Sequence, residues 1–360
     1  MKNMLTRTAL VGSALLLGVS AVSAQTTVSG NLDLTFKAVT SDKATARSYQ
    51  YFGKEAQINL ANKGKLSNGM DYAAGFSIEL DGSDVNGTAD GEAGTLNGAF
   101  AENTYIDFIA GNTTITIGAD HIQNPDKTLS NLIGISDLDD AVSGVTAASK
   151  AVSATSFVSH ANSAYQAYGV GVIQTVPGIG KVSLNYTPDR TNGLANGDTL
   201  AISSTNTVET YDNGESAYEV GFVGDFGVKG LNVEGFYNKA DSGTNTADLK
   251  GQMFGARYNT GAITVAAQRS ETKSAATPVV KVTSDSFGAA YAVTNALSIG
   301  LSYGVTDKSA TTVDEKIKQV SIGYNLGPVM VGASYAQVED MGNVATIDGE
   351  TLVFRASTKF

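Results

Sequence analysis

The sequence predicts an all-β fold, a transmembrane antiparallel β-barrel of about 16 strands, and three observations predict it. Apolar side chains recur at every second residue in one segment after another, the period of a strand with two unlike faces. Short connections rich in Gly, Asn and Pro alternate strictly with longer polar ones. The face opposite the apolar residues carries Gly, Ser, Ala and charged side chains, which are unable to fill the middle of so wide a closed sheet.

The opening segment, MKNMLTRTALVGSALLLGVSAVSA, has Lys2 and Arg7, an apolar run from Ala9 to Val19, and small residues at Val22-Ser23-Ala24. This three-part pattern predicts a signal peptide over residues 1–24, cleaved after Ala24. Its apolar run is too short to span ~30 Å of hydrocarbon comfortably. The remaining 25–360 read as one domain, with no Pro/Ser-rich linker. They hold 35 acidic residues and 22 basic ones, a net charge of −13, which disfavours nucleic acid. There is no Cys, so no disulfide supports the fold. No later stretch of about 20 apolar residues provides a helical span.

The strands follow in order. The first, 27–40, sets Leu32, Leu34 and Phe36 against Asn31, Asp33 and Thr35. The second and third, 54–62 and 70–81, flank NKGKLSNG; Tyr72, Ala74, Phe76, Ile78 and Leu80 alternate with Asp71, Ala73, Gly75, Ser77 and Glu79. The fourth and fifth, 102–110 and 113–120, flank AGNT. The sixth, 163–176, loses its phase near Ile173. In the seventh, 180–188, Val182, Leu184 and Tyr186 alternate with Lys181, Ser183 and Asn185. Segments 215–226, 230–240, 249–259, 261–271 and 281–293 obey the same rule. The thirteenth, 296–306, sets Leu297, Ile299, Leu301, Tyr303 and Val305 against Ser298, Gly300, Ser302 and Gly304. Segments 315–326, 328–338 and 349–360 complete the set. The last, TLVFRASTKF, is expected to pair with the first and to end with Phe360 in an aromatic belt that includes Tyr72, Tyr186, Tyr258, Tyr291, Tyr303 and Tyr324.

An even strand number brings both chain ends to one rim. Sixteen strands at ~4.8 Å spacing and ~40° tilt enclose a space roughly 30 Å across. Small and polar residues leave that space to water, so the apolar face must meet lipid. Closure pairs every backbone group, as hydrocarbon demands.

With these segments in view the chain resembles the Gram-negative general porin family. The resemblance is carried by the leader, TVSGNLDLTF, AQINLANKGKLSNGMDYAAGFSIEL, YIDFIAGNTTITIGAD and the final Phe360. It implies a homotrimer in the outer membrane, with short periplasmic turns and long extracellular loops. It implies a passive channel for small hydrophilic solutes and ions, without catalysis or cofactor. It also implies that residues 121–160 fold into the pore as a constriction, and that Phe360 is read by the barrel-insertion machinery. One departure stands out. Family members often oppose the loop acids with Arg on early strands, but here Gly118 is followed by Ala119, Asp120 and His121, and strands two to five hold no Arg.

The candidate pore-lining residues are Asp126, Asp137, Asp139 and Asp140 in the long connection, with Asp107, Asp120, Glu79, Lys181, Arg257 and Arg355 on the wall. By alternation the inward basic residues are Lys37, Lys181, Arg257, Arg355 and Lys359, against Asp33, Glu55, Asp71, Glu79, Asp107, Asp120, Glu219 and Glu234. Such an acidic excess predicts a cation-preferring pore; the competing reading leaves many acids at the rims, screened beyond ~8 Å. Asp137, Asp139 and Asp140 offer oxygens to calcium, but not at EF-hand spacing, and a solvated acidic loop is the simpler account. The two histidines, His121 and His160, lack the companions of a zinc site. No G-x-S-x-G or P-loop pattern points to an enzyme. The alternative is a substrate-selective channel of the same barrel type, which calls for an inward aromatic track; only Tyr105 and Phe236 are inward by alternation.

Overall fold

A computed structural model describes residues 25–42, 49–83, 100–119, 168–187, 216–240, 249–273 and 279–360. Sixteen strands lie among them: β1 (Gln25–Ser41), β2 (Tyr49–Lys65), β3 (Asp71–Ser83), β4 (Phe100–Ala110), β5 (Thr113–Ala119), β6 (Tyr168–Val176), β7 (Gly180–Thr187), β8 (Ala217–Gly224), β9 (Leu231–Ala240), β10 (Leu249–Asn259), β11 (Ile263–Lys273), β12 (Lys281–Ala292), β13 (Leu297–Lys308), β14 (Glu315–Asn325), β15 (Val329–Glu339) and β16 (Gly349–Lys359). Each pairs antiparallel with the next, and β16 pairs with β1 to close the barrel.

The side chains are inverted relative to a soluble barrel. Leu301 and Phe254 are 64% and 63% exposed on the outer face. Their neighbours Ser302, Thr306, Gln319 and Ser321, pointing inward, are buried. The alternation in the sequence therefore maps onto outside and inside, and the apolar exterior is what a bilayer requires.

The closing seam is held from both sides. Register runs unbroken from Asn31↔Lys359 to Ser41↔Gly349. Outside, the Phe36 ring lies 5.0 Å from that of Phe52 and 6.3 Å from that of Phe354, centroid to centroid, so one aromatic cluster straddles β16, β1 and β2. Inside, Arg355 of β16 clasps Asp33 of β1, with Nη2 3.0 Å from Oδ2 and Nε donating to Oδ1 at 3.3 Å.

Three of the short connections share one device. The side chains of Asn259, Asn325 and Asp225 accept from the N–H two residues on, at Gly261 (2.7 Å), Gly327 (2.8 Å) and Gly227 (2.9 Å). Gly261 and Gly327 hold φ values of 98° and 94°, open to glycine at no steric cost.

The structure refines several expected boundaries. β2 runs on to Lys65, through the first part of a segment read as turn. β6 is described from Tyr168 on, with 163–167 outside the described residues, and its register with β5 and β7 shows no slip at Ile173. The lapse near Ile173 is one of side-chain type alone. A bulge falls instead between β3 and β4, where Gly75↔Tyr105 gives way to Ser77↔Glu102 and Asn103 takes a φ of 49°. Asn103 Nδ2 donates to Ser77 Oγ at 2.8 Å, which ties the extra residue back to the sheet.

Tyr258, Tyr291 and Tyr324 face outward near the short-turn rim, as does Phe360. Tyr186 lies near the opposite rim, beside Tyr218, whose ring stacks at 6.3 Å on Tyr237. Tyr303 sits mid-strand. The tyrosines expected in a single belt are thus divided between two rims and the band between them.

Candidate functional site

The interior wall is assembled from every second residue of all sixteen strands. Of the wall residues selected from sequence, Asp107, Lys181, Arg257 and Arg355 face the interior. Asp107 is buried and accepts from Thr116 Oγ1 across β4 and β5 at 2.6 Å. Register pairs Glu79 with Gln57 of β2. Asp120, Asp126, Asp137, Asp139 and Asp140 lie outside the described residues, as does all of 121–160 and the leader 1–24. Among the described residues no group of three or more His, Asp or Glu side chains is placed to hold a metal ion.

Alternation missed inner positions of both signs: Lys63, Lys65 and Lys308 among the basic residues, and Glu315 and Asp81 among the acidic, Asp81 lying opposite Glu55 in register. Lys63 and Lys65 fall on the inner face of β2, since Lys63 pairs with the buried, inward Ala73. Lys308 stands on the inner face of β13 with Thr306. Glu315 opens the inner face of β14 and is buried. The first two were hidden in a segment read as turn; the others sit at strand ends next to polar connections. Several inward charges are neutralised locally. Lys65 pairs with Asp71 at 2.5 Å, and Arg355 with Asp33.

Buried carboxylates on the wall are held by carboxamides. Glu219 of β8 accepts from Asn185 of β7 at 3.5 Å and from Asn238 of β9 at 3.3 Å. Glu234 accepts from Asn232 at 2.5 Å. The contacts to Glu219 cross strands and that to Glu234 stays within β9; in both, neutral carboxamides orient the carboxylate.

Two parts of the interior are apolar. Phe236 and Met253 are buried on the inner faces of β9 and β10, at paired positions. The second patch involves 340–348, one of the longer polar connections. Met341 turns inward and packs with Ile317, Ala336 and Val338, with Ile347 against them. Asn343 Nδ2 donates to the carbonyls of Thr306 (2.6 Å) and Val313 (3.2 Å), and Asp42 N donates to Asp348 O (2.9 Å). This connection is therefore fixed to the wall at the long-connection mouth.

The outer face also carries an unforeseen charged tier. Lys281 Nζ lies 2.7 Å and Lys273 Nζ 3.3 Å from Glu271, Arg269 lies 3.6 Å from Asp285, and Lys318 pairs with Glu339. All sit on the outer face of β11, β12, β14 and β15, in the half nearer the long connections, with Arg269 opposite the exposed Phe254 of β10.

The family model for Gram-negative porins matches residues 9–350. This chain belongs to the Gram-negative porin family. As a porin it is a passive channel of the outer membrane. Among solved structures it is similar to an anion-selective porin from Comamonas acidovorans, with a TM-score of 0.64 and 14% identity over 94% of this chain and 100% of that one. A loop L8 deletion mutant of OmpT, an outer membrane protein of Vibrio cholerae, gives a TM-score of 0.60 and 12% identity over 94% and 100%. An engineered variant of Rh. blastica porin gives 0.58 and 12% over 93% and 100%. At such identities these likenesses concern the barrel itself. No curated protein matches the porin in sequence.

Proposed function

We propose that this porin is a general diffusion channel that passes small hydrophilic solutes and ions, exported by the leader 1–24 and assembled as a homotrimer. The observation that carries the reading is the inversion of its side chains: apolar residues cover the outside of a closed sixteen-strand barrel while Ser, Thr, Asn, Gln and charged groups line the inside. Lipid satisfies the first surface and water the second. Phe360 serves as the terminal signal for insertion, and 121–160 as the constriction, with Asp126, Asp137, Asp139 and Asp140 facing the solute path. Calcium bound by Asp137, Asp139 and Asp140 would brace that connection.

Its ion preference, on this reading, is for cations, and it arises at the long-connection mouth more than on the wall. The eight long connections hold nineteen acidic and five basic residues. The strands and short turns are close to neutral. Single-channel steps in a planar bilayer, followed by the reversal potential in a salt gradient, test both parts. An absence of steps ends the channel reading; clear anion preference ends the cation reading alone.

The substrate-selective alternative draws less support. Tyr105 and Phe236 are on β4 and β9, well apart around the barrel, and Phe236 is buried. Register adds Tyr49 and Tyr51 at inner positions of β2, opposite Val39 and Lys37, and saturation of flux by a single solute decides between the two readings.

A further inference from the structure

The interior charge is distributed unevenly along the barrel axis. Lys63, Lys181, Arg257 and Lys359 all face inward within two residues of the short-turn ends of β2, β7, β10 and β16. They are thus spread around that mouth rather than gathered on one side. Lys181 and Arg257 border a shared recess of about 990 Å³. Lys63, Lys181 and Lys359 make no hydrogen bond or ion pair among the described residues. The inner acids near that mouth are fewer: Asp71 is paired with Lys65, and Asp107 of β4 and Glu234 of β9 each stand three residues from a short-turn end, while the turn after β8 carries one acid and one base, Asp225 and Lys229. The opposite mouth is where the acidic connections leave the barrel.

We propose that the short-turn mouth is a basic collar that concentrates anions, so that the pore is charge-polarised end to end and conducts asymmetrically. This rests on the channel reading above. The physics is that of fixed charge in a water-filled tube with low-dielectric walls, which focus the field into the lumen. One mouth gathers cations and the other anions. A voltage that draws each ion inward through the mouth that favours it fills the pore with both carriers. The reverse voltage empties the pore of both. Current of one sign therefore exceeds current of the other, most clearly where the screening length is about 10 Å or more, at or below about 0.1 M salt. For the same reason a multivalent oxyanion entering from the short-turn side lodges at the collar.

The experiment uses the full mature porin, one channel at a time, in a planar bilayer in about 0.1 M KCl. Because the chain has no Cys, Asn112→Cys in the β4–β5 turn with a bulky impermeant thiol reagent marks the short-turn side. The expected result is current differing by about 1.5-fold or more between opposite voltages, shrinking toward parity in about 1 M KCl. Tripolyphosphate added on the short-turn side reduces current at concentrations that have no effect from the other side. The triple variant Lys63→Gln, Lys181→Gln, Lys359→Gln loses both effects but keeps its conducting steps and its heat-modifiable gel mobility. Equal currents of either sign, equal block from both sides, or an unchanged triple variant overturns the collar and leaves the channel standing. A wild-type protein with no steps overturns both.

Discussion

The ring of Phe360 lies across Gly30. A Cβ built on Gly30 would come within 2.6 Å of the ring and equally within 2.6 Å of the Gln57 carbonyl oxygen. The two backbones exchange both hydrogen bonds, Gly30 N to Phe360 O at 2.8 Å and Phe360 N to Gly30 O at 3.0 Å. An aromatic ring covering a glycine on a neighbouring strand fixes register where the first and last strands meet.

Gly30→Ala is therefore expected to weaken the closing seam. The ring is able to swing aside, but the Gln57 carbonyl belongs to the β1–β2 ladder and has nowhere to go. The cost expected is about 1–3 kcal/mol. It is measured as a lower urea midpoint for unfolding from lipid vesicles, with the slope unchanged. Phe360→Ala should cost less, because the ring is largely exposed on the outer face. A Gly30→Ala midpoint equal to wild type would show that the seam has slack.

The clasp on the inner side of the same seam yields a second prediction. Asp33 and Arg355 are both largely buried, and two bonds join them. Arg355→Ala leaves the Asp33 carboxylate with only neutral partners, the Ser357 hydroxyl opposite it in register and the long contact from Asn31 at 3.4 Å. The loss expected is about 1–3 kcal/mol. Adding Asp33→Ala should recover part of it, since the orphaned charge goes too. Urea titration of both single variants and the double variant gives the coupling directly. Strict additivity would mean that water in the lumen already screens the pair.

Much of this architecture was legible because lipid outside and water inside impose a period of two on every strand. Leu297 to Val305 show it without a break, and β13 follows. What stayed hidden lies where that period stops carrying information. Lys63 and Lys65 sit among Gly and Asn, and turn chemistry masked two inward strand positions. Asn103 adopts left-handed geometry at a bulge with no Gly to announce it. Met341 and Ile347 are isolated apolar residues in a polar stretch, with no periodicity to say which way they turn. The charged tier of Arg269, Glu271 and Lys273 obeys alternation but breaks the rule that the outer face is apolar, toward the end of β11 that meets a long connection.

The Met341 cluster fixes the connection between β15 and β16, and its removal should be seen in current as well as stability. Ile317→Ala takes a fully buried side chain out of that cluster, at an expected cost of about 2–5 kcal/mol. With its packing gone, 340–348 is held chiefly by Asn343 and the backbone bond from Asp42 to Asp348. Open-channel noise should rise, and protease should cut between β15 and β16 in intact vesicles, where wild type resists. Unchanged noise together with unchanged cleavage would assign the anchoring to the hydrogen bonds alone.

Leu301 tests the surface on which the whole reading depends. It projects from the middle of β13, beside Val320 of β14 and Ala289 of β12, with 64% of its surface exposed. If hydrocarbon covers it, Leu301→Arg must place a charge near the bilayer midplane, at a cost of about 2–4 kcal/mol. Folding into vesicles should then be destabilised by that amount, whereas Ser298→Arg, on the inner face of the same strand between Ala292 and Gly323, should fold normally and change conductance instead. The two substitutions introduce the same charge and differ only in which side of the sheet receives it. Equal tolerance at both positions would mean that water reaches the outside of the barrel as freely as the inside.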